Sequence, residues 1–399
     1  MADQALKRGS TAQPVPKTAF WNNPDVRAIV YQVAMIAAVL GLAAYLVYNT
    51  MSNLEARSIR SGFGFLEQEA GFYIGEHPIS FKASDSYGRA FVVGILNTLR
   101  VAVIGIVLAT LIGTVVGIAR LSKNWLIAKL ASVYVESVRN VPLLLQLYFW
   151  YQIIVGVLPP VRNALHVMPG VYLSASGLNY AVPVAHPAHW GMLVAFIVGA
   201  VVAYFYRRWA ADRQAETGQQ APLLWPILGL ILGLPFLAWL VGGAPTTMNV
   251  PTMGTFRFTG GSQVTPEFMA LLAGLTIYTA GFIAEIVRSG ILAVSWGQTE
   301  AASSVGLRQG LILRLVLLPQ ALRVIVPPMT SQYLNLTKNS SLAVAIGYPD
   351  LVSVSNTSLN QTGQAVECIA IIMAVYLTIS LSISAFMNWY NRAIALVER

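Results

Sequence analysis

Few residues in this chain of 399 could do chemistry, and they are scattered. The histidines are His77, His166, His186 and His189. Only His186 and His189 fall close together, beside Pro183 and Pro187, where a solvated loop is the simpler reading than a metal pair. The one cysteine, Cys368, lies in an apolar run, so no internal disulfide or cysteine metal cluster can form. No lysine follows a glycine, so the Gly-Lys end of a phosphate-cradling P-loop is missing. There is no His-Glu-x-x-His either. The expectation is a chain without catalytic residues, metal or cofactor of its own. What remains is charge inside apolar stretches, which is costly and marks either a pathway or a fixed partner. Arg100, with Asn97 one turn away on the same helical face, could meet a carboxylate in transit; the alternative is snorkelling or pairing with a fixed carboxylate. Tyr278, Phe282 and Glu285 share a face at i, i+4 and i+7. Glu285 could pair with Arg288 at i, i+3, or contact a solute. Lys338 is open to the same two readings.

These residues need long apolar elements to position them. Hydrophobic residues make up 56% of the chain and charged residues 10%, with a mean hydropathy of +0.63. A soluble domain carries about 25% charged residues, so most of this surface must face lipid. Eight stretches approach the roughly 20 apolar residues of a membrane span: 29–48, 90–119, 140–158, 190–206, 223–241, 267–290, 321–345 and 367–389. The fold class is therefore an all-α membrane protein of about eight transmembrane helices. Pro327, Pro328 and the polar residues Asn335, Thr337, Lys338 and Asn339 interrupt the seventh, which predicts a broken helix in the bundle interior. Gly113-x-x-x-Gly117 and Gly229-x-x-x-Gly233 fit close helix packing.

The net charge of +9 sets orientation. With both termini inside, the inner segments and inner span ends hold 17 Lys and Arg, and the outer segments 6. Four of those six fall in the first outer segment, 49–89, which also carries Glu67, Glu69, Glu76 and Asp85. The first span follows a polar tail, 1–28, and no small-residue cleavage site, so it is expected to be a permanent anchor.

One inner segment is built to dock. It runs from Ser295 through Glu300, Ala301, Ala302 and Gly306 to Val316, Leu318 and Pro319. Ser295 and Gln298 have capping-box spacing. Glu300 falls where a helix dipole favours an anion, and Gly306 is placed to end the helix. A second helical run is expected until Pro319. This segment resembles the EAA loop of ABC-importer permeases: Glu-Ala-Ala, three residues, Gly, nine residues, an aliphatic, one residue, Leu-Pro. Val316 stands where Ile is more usual. Ser137–Leu147, Tyr278–Ile291, Leu336–Leu342 and Ile346–Leu351 resemble the polar amino-acid branch of these permeases. The lengths resemble the long, Q-type subunits of general L-amino acid importers, with an added anchor and a mid-chain insertion.

That resemblance implies a five-helix type I importer core, split into 90–158 and 267–399. An extra N-terminal helix and loop (29–89) and an insertion with two extra helices (159–266) complete the chain. It implies a coupling helix pressed on a separate ABC ATPase dimer that binds the ATP and Mg. It also implies a second permease core (a related chain or a second copy), a periplasmic amino-acid-binding protein, an L-amino acid substrate and the bacterial inner membrane. Coupling residues would be Glu300, Ala301, Ala302, Gly306, Leu318 and Pro319. An ion-driven secondary transporter would instead show repeats and broken helices in both halves.

Overall fold

The computed structural model describes residues 24–56, 61–254 and 257–394. Most of the expected cytoplasmic tail, 1–28, and the last five residues lie outside the described residues. The helices are α1 (Pro24–Ala56), α2 (Tyr87–Ala119), α3 (Trp125–Asn140), α4 (Leu143–Val157), α5 (Pro187–Thr217), α6 (Leu224–Leu228), α7 (Leu234–Val241), α8 (Pro266–Leu292), α9 (Trp296–Ser304), α10 (Gln309–Ile312), α11 (Leu318–Asn339), α12 (Leu351–Thr362) and α13 (Ala365–Ile394). Among the described residues, seven helices are long and apolar enough to cross a membrane, and the bent pair α3–α4, taken as one span, makes an eighth.

Caps start the main helices. Ser86 accepts from Arg89 N–H ahead of α2, Asn124 from Leu126 and Ile127 ahead of α3, and Thr265 from Phe268 ahead of α8. His186 Nδ1 accepts from Ala188 N–H, so this histidine caps α5, with Pro187 in the first turn.

The core centres on α2 packed along α8, with α4, α11 and α13 around them. Gly113 and Gly117 permit that approach: a Cβ at Gly113 would lie 2.7 Å from Ile283 Cβ, and one at Gly117 2.7 Å from the Ala284 carbonyl. The other glycine pair behaves differently. Gly229 and Gly233 have nothing within 4 Å and lie in a π-turn between α6 and α7. Gly199 of α5 makes the close approach instead, against the Leu230 carbonyl.

Three sequence expectations need correction. The third span is not a single helix over 140–158, because α3 and α4 meet at 108°. Val141 precedes Pro142, which disfavours helix, and it is extended. Gln146 Nε2 donates to the freed Val138 and Val141 carbonyls at 2.8 and 2.9 Å. Much of the expected loop 120–139 is therefore helix α3, fastened to α8 by Tyr134 Oη donating to the Ile277 carbonyl at 2.8 Å. In the seventh span, α11 continues through Pro327 and Pro328, and the change comes later, as a 3-10 turn over Ser340–Ile346 ending at Gly347 with φ +80°. Pro319 does not stop the chain either. It sits in the first turn of α11, after a π-turn at Leu313–Leu317 that takes up its missing N–H.

The insertion is a helical hairpin, α5 against α6–α7, with strands at its base: β1 (Leu165–Met168), β2 (Val171–Ser174), β3 (Gly177–Tyr180), β4 (Val182–Pro183), β5 (Met248–Asn249), β6 (Thr252–Met253), β7 (Phe258–Thr259) and β8 (Ser262–Val264). The order β1-β2-β3-β8 is antiparallel and places Leu178 opposite Val264, so the two flanking loops close on each other.

Candidate functional site

Besides Arg89 in its first turn, α2 carries Arg100 toward one end of the core and Arg120, its C-cap, toward the other. Twenty residues of helix separate them, about 30 Å at 1.5 Å per residue.

At the first end, Arg100 Nη1 lies 2.5 Å from Glu76 Oε1, and its guanidinium stands 4.3 Å over the Phe268 ring. Thr265 Oγ1, the cap of α8, donates to Glu76 Oε2 at 2.5 Å. Asn97, fully buried, donates from Nδ2 to the Glu76 and Pro349 carbonyls, each at 2.8 Å. Glu76 is 6% exposed. Its burial pushes the carboxyl pKa up, against the pull of Thr265 and Arg100. One loop residue thus ties α2, α8 and the approach to α12 together. A cleft of about 320 Å³ opens beside it, lined by Glu76, Thr265, Glu267, Gly347 and Pro349 among others. Asp350 caps α12, its Oδ1 accepting from Ser353 N–H at 2.8 Å, and burial pushes its carboxyl up to about 7.

At the second end, Glu285 pairs with Arg288 at 2.6 Å, as its spacing allows, and also with Arg120. Arg120 falls in the expected loop 120–139, so sequence spacing did not point to it. Tyr278 and Phe282 share the face of Glu285, with ring centroids 5.0 Å apart, and Arg139 stands over Phe282 at 5.1 Å. That face therefore packs partly on α3. Lys338 is exposed in the last turn of α11, on one face with exposed Ser331 and Asn335, and no carboxylate among the described residues pairs with it. The five pathway candidates are thus distributed along the core, not gathered at one point.

The segment from Ser295 to Pro319 forms a compact unit. α9 carries Glu300, Ala301 and Ala302, of which only Ala302 is buried; Glu300 is its fifth residue, so the anion expected in the first turn is not there. Trp296 is 74% and Val305 75% exposed. Gly306, at φ +78°, ends the helix: its N–H donates to the Ser303 carbonyl at 2.9 Å and Leu307 N–H to Ala302 at 3.2 Å, a Schellman pattern. The expected capping box is not formed. Gln298 N–H donates to the Ser295 carbonyl, not its hydroxyl, and the Gln298 side chain accepts from Gln320 Nε2 at 3.3 Å. That bond links α9 to the start of α11, where Leu318 and Pro319 lie, just after Val316 in the π-turn. No group of three or more metal-ligating side chains occurs among the described residues.

Residues 191–396 match the family described as binding-protein-dependent transport system inner membrane component. The general L-amino acid transport system permease protein AapQ of Rhizobium johnstonii is 50% identical over 377 residues, 94% of each chain. The putative amino-acid ABC transporter permease protein YhdX of Escherichia coli K12 is 49% identical, covering 94% of this chain and 96% of that one. The glutamate/glutamine/aspartate/asparagine transport system permease protein BztB of Rhodobacter capsulatus is 41% identical over 94% and 95%. A solved amino acid ABC transporter, crystallised with histidines, is 20% identical at a TM-score of 0.45, covering 77% of this chain and 95% of that chain.

Proposed function

Because this chain belongs to the binding-protein-dependent transport inner membrane components, as an amino-acid ABC transporter permease, we propose that it moves L-amino acids inward by alternating access, driven by a separate ATPase dimer. The observation that carries the coupling role is α9: a short helix, ended by a left-handed glycine, that leaves Trp296, Glu300, Ala301 and Val305 uncovered. A docking partner would bury that apolar surface. ATP and Mg would be bound by the ATPase. A second permease core, a related chain or another copy, would complete the pathway, and a periplasmic binding protein would deliver substrate. Both termini lie in the cytoplasm of the bacterial inner membrane in this reading, with 90–158 and 267–399 as the core and 29–89 and 159–266 as additions.

For the pathway, Lys338 with Asn335 is the candidate whose face is uncovered. Arg100 already holds Glu76, so a substrate carboxylate would reach it only once Glu76 has moved. Tyr278 and Glu285 would contribute nearer the other end. The test is reconstitution. Purified alone, the chain hydrolyses no ATP; with its ATPase and binding protein, hydrolysis rises and an amino acid accumulates. Robust hydrolysis by the isolated polypeptide would overturn the assignment.

A further inference from the structure

α1 is apolar and exposed along its described length: Met35 is 68% and Tyr48 75% exposed. Its far end is nevertheless leashed. Six residues after Ala56, Gly62 is pinned to the first turn of α13, its N–H donating to Glu367 Oε1 at 2.5 Å and its carbonyl accepting from Gln364 Nε2 at 3.0 Å. Six residues reach at most about 22 Å, so the C-terminal end of α1 must lie near the N-terminal tip of α13. Seated there, α1 would run antiparallel to α13 and α2.

A groove of about 570 Å³ lies between α2 and α13, lined by Ile95, Leu99 and Val103 on one side and Ala374, Thr378 and Ser382 on the other. On the α13 wall these small residues form a row at i, i+4 and i+8 beside Val375, Ile379 and Ile383, so a helix can come close along that row. α1 has a matching face: Ala34, Ala37, Gly41 and Ala44, with nothing within 4 Å of a Cβ at Gly41. Small side chains on facing helices are the usual means of association in lipid, where apolar area by itself drives little. The spacings also agree. Ala37 to Ala44 rises about 10 Å and Ala374 to Ser382 about 12 Å at 1.5 Å per residue.

We propose that α1 seats in the α2–α13 groove of its own chain, with Ala44 opposite Ala374 and Ala37 opposite Ser382, so that the added anchor belongs to the core instead of floating beside it. A lipid chain or a helix of the second permease are the rival occupants. The test uses the full chain with its partners in native membranes, on a Cys368→Ala background. The pairs Ala44→Cys with Ala374→Cys, and Ala37→Cys with Ser382→Cys, are oxidised, since a disulfide needs Cα atoms within about 7 Å. Leu46→Cys with Ala374→Cys, from the opposite face of α1, is the control. The expected result is an intrachain disulfide in both pairs at a yield about fivefold or more above the control. A bond between two differently tagged copies, or a yield no higher than the control, overturns the proposal. Should a pair fail to accumulate, a benzophenone residue at Tyr48 gives a second reading. Photo-crosslinking to α2 or α13 of the same chain supports the seat, and crosslinks only elsewhere overturn it.

Discussion

The two ends of the core solve one problem with opposite arithmetic. Around Arg100, partway along α2, one arginine and a threonine share one carboxylate, and that carboxylate is almost fully buried. At the C-cap of α2, two arginines share one carboxylate, which is 27% exposed. In the first arrangement the buried group is the anion, brought by a loop. In the second the anion sits on α8 itself, three residues from one partner. Burial decides how much each is worth, since an ion pair in water contributes little and a broken buried pair leaves an uncompensated charge.

The sharpest way to break the contrast is Arg100→Ala. It strands Glu76 in a buried site, and a cost of about 3 kcal/mol is expected, the low end for breaking a buried pair because Arg100 is itself 29% exposed. Thermal unfolding of the detergent-purified chain and the amount in the membrane should both fall, and adding Glu76→Gln should recover most of the loss. If the single variant keeps full abundance while uptake of acidic, neutral and basic amino acids drops together, Arg100 acts on substrate and not on the fold.

Next in size is Gly306→Asp. A side chain at φ +78° costs on the order of 1 kcal/mol, with Asp among the better tolerated. The fold should survive while uptake and ATPase stimulation collapse at matched membrane levels. Glu300→Lys should do the same by reversing a charge that α9 leaves exposed for a partner. Wild-type uptake in both would remove α9 from coupling.

Glu285→Gln should cost less, on the order of 1 kcal/mol or below, because water already screens the group. A melting shift as large as that of Arg100→Ala would erase the distinction between the two ends.

The smallest effect, at acidic pH, belongs to Asp350→Asn. A carboxyl raised to about 7 in the fold binds its proton more tightly there than in the unfolded chain, whose value is near 3.8. Stability is therefore lost as pH rises between those two values. Asn keeps the oxygen that accepts from Ser353 N–H, so the variant should match wild type near pH 4 and show a flatter pH profile above it. Melting curves from pH 4 to 8 test this; parallel profiles would refute it.

The sequence by itself determined a great deal. Runs of apolar residues placed seven of the eight spans and only the α4 half of the bent third one, because the bilayer imposes length and composition locally along the chain. The pattern from Glu300 to Pro319 marked a segment expected to dock through its resemblance to the EAA loop, and i, i+3 spacing marked Glu285 with Arg288, because helix geometry fixes neighbours a few residues apart. What lay beyond that range was decided by the tertiary structure. Glu76 lies 24 residues from Arg100 and looks like one more acid in an outer loop, yet packing against α2 and α8 makes it the fixed partner. Arg120 meets Glu285 across 165 residues, once Gly113 and Gly117 have let α2 and α8 close. The same holds for the two glycine pairs: both have the spacing, and only the pair facing another backbone packs. Spacing is a property of one helix, whereas a contact needs two, and the second is supplied only when the chain has folded.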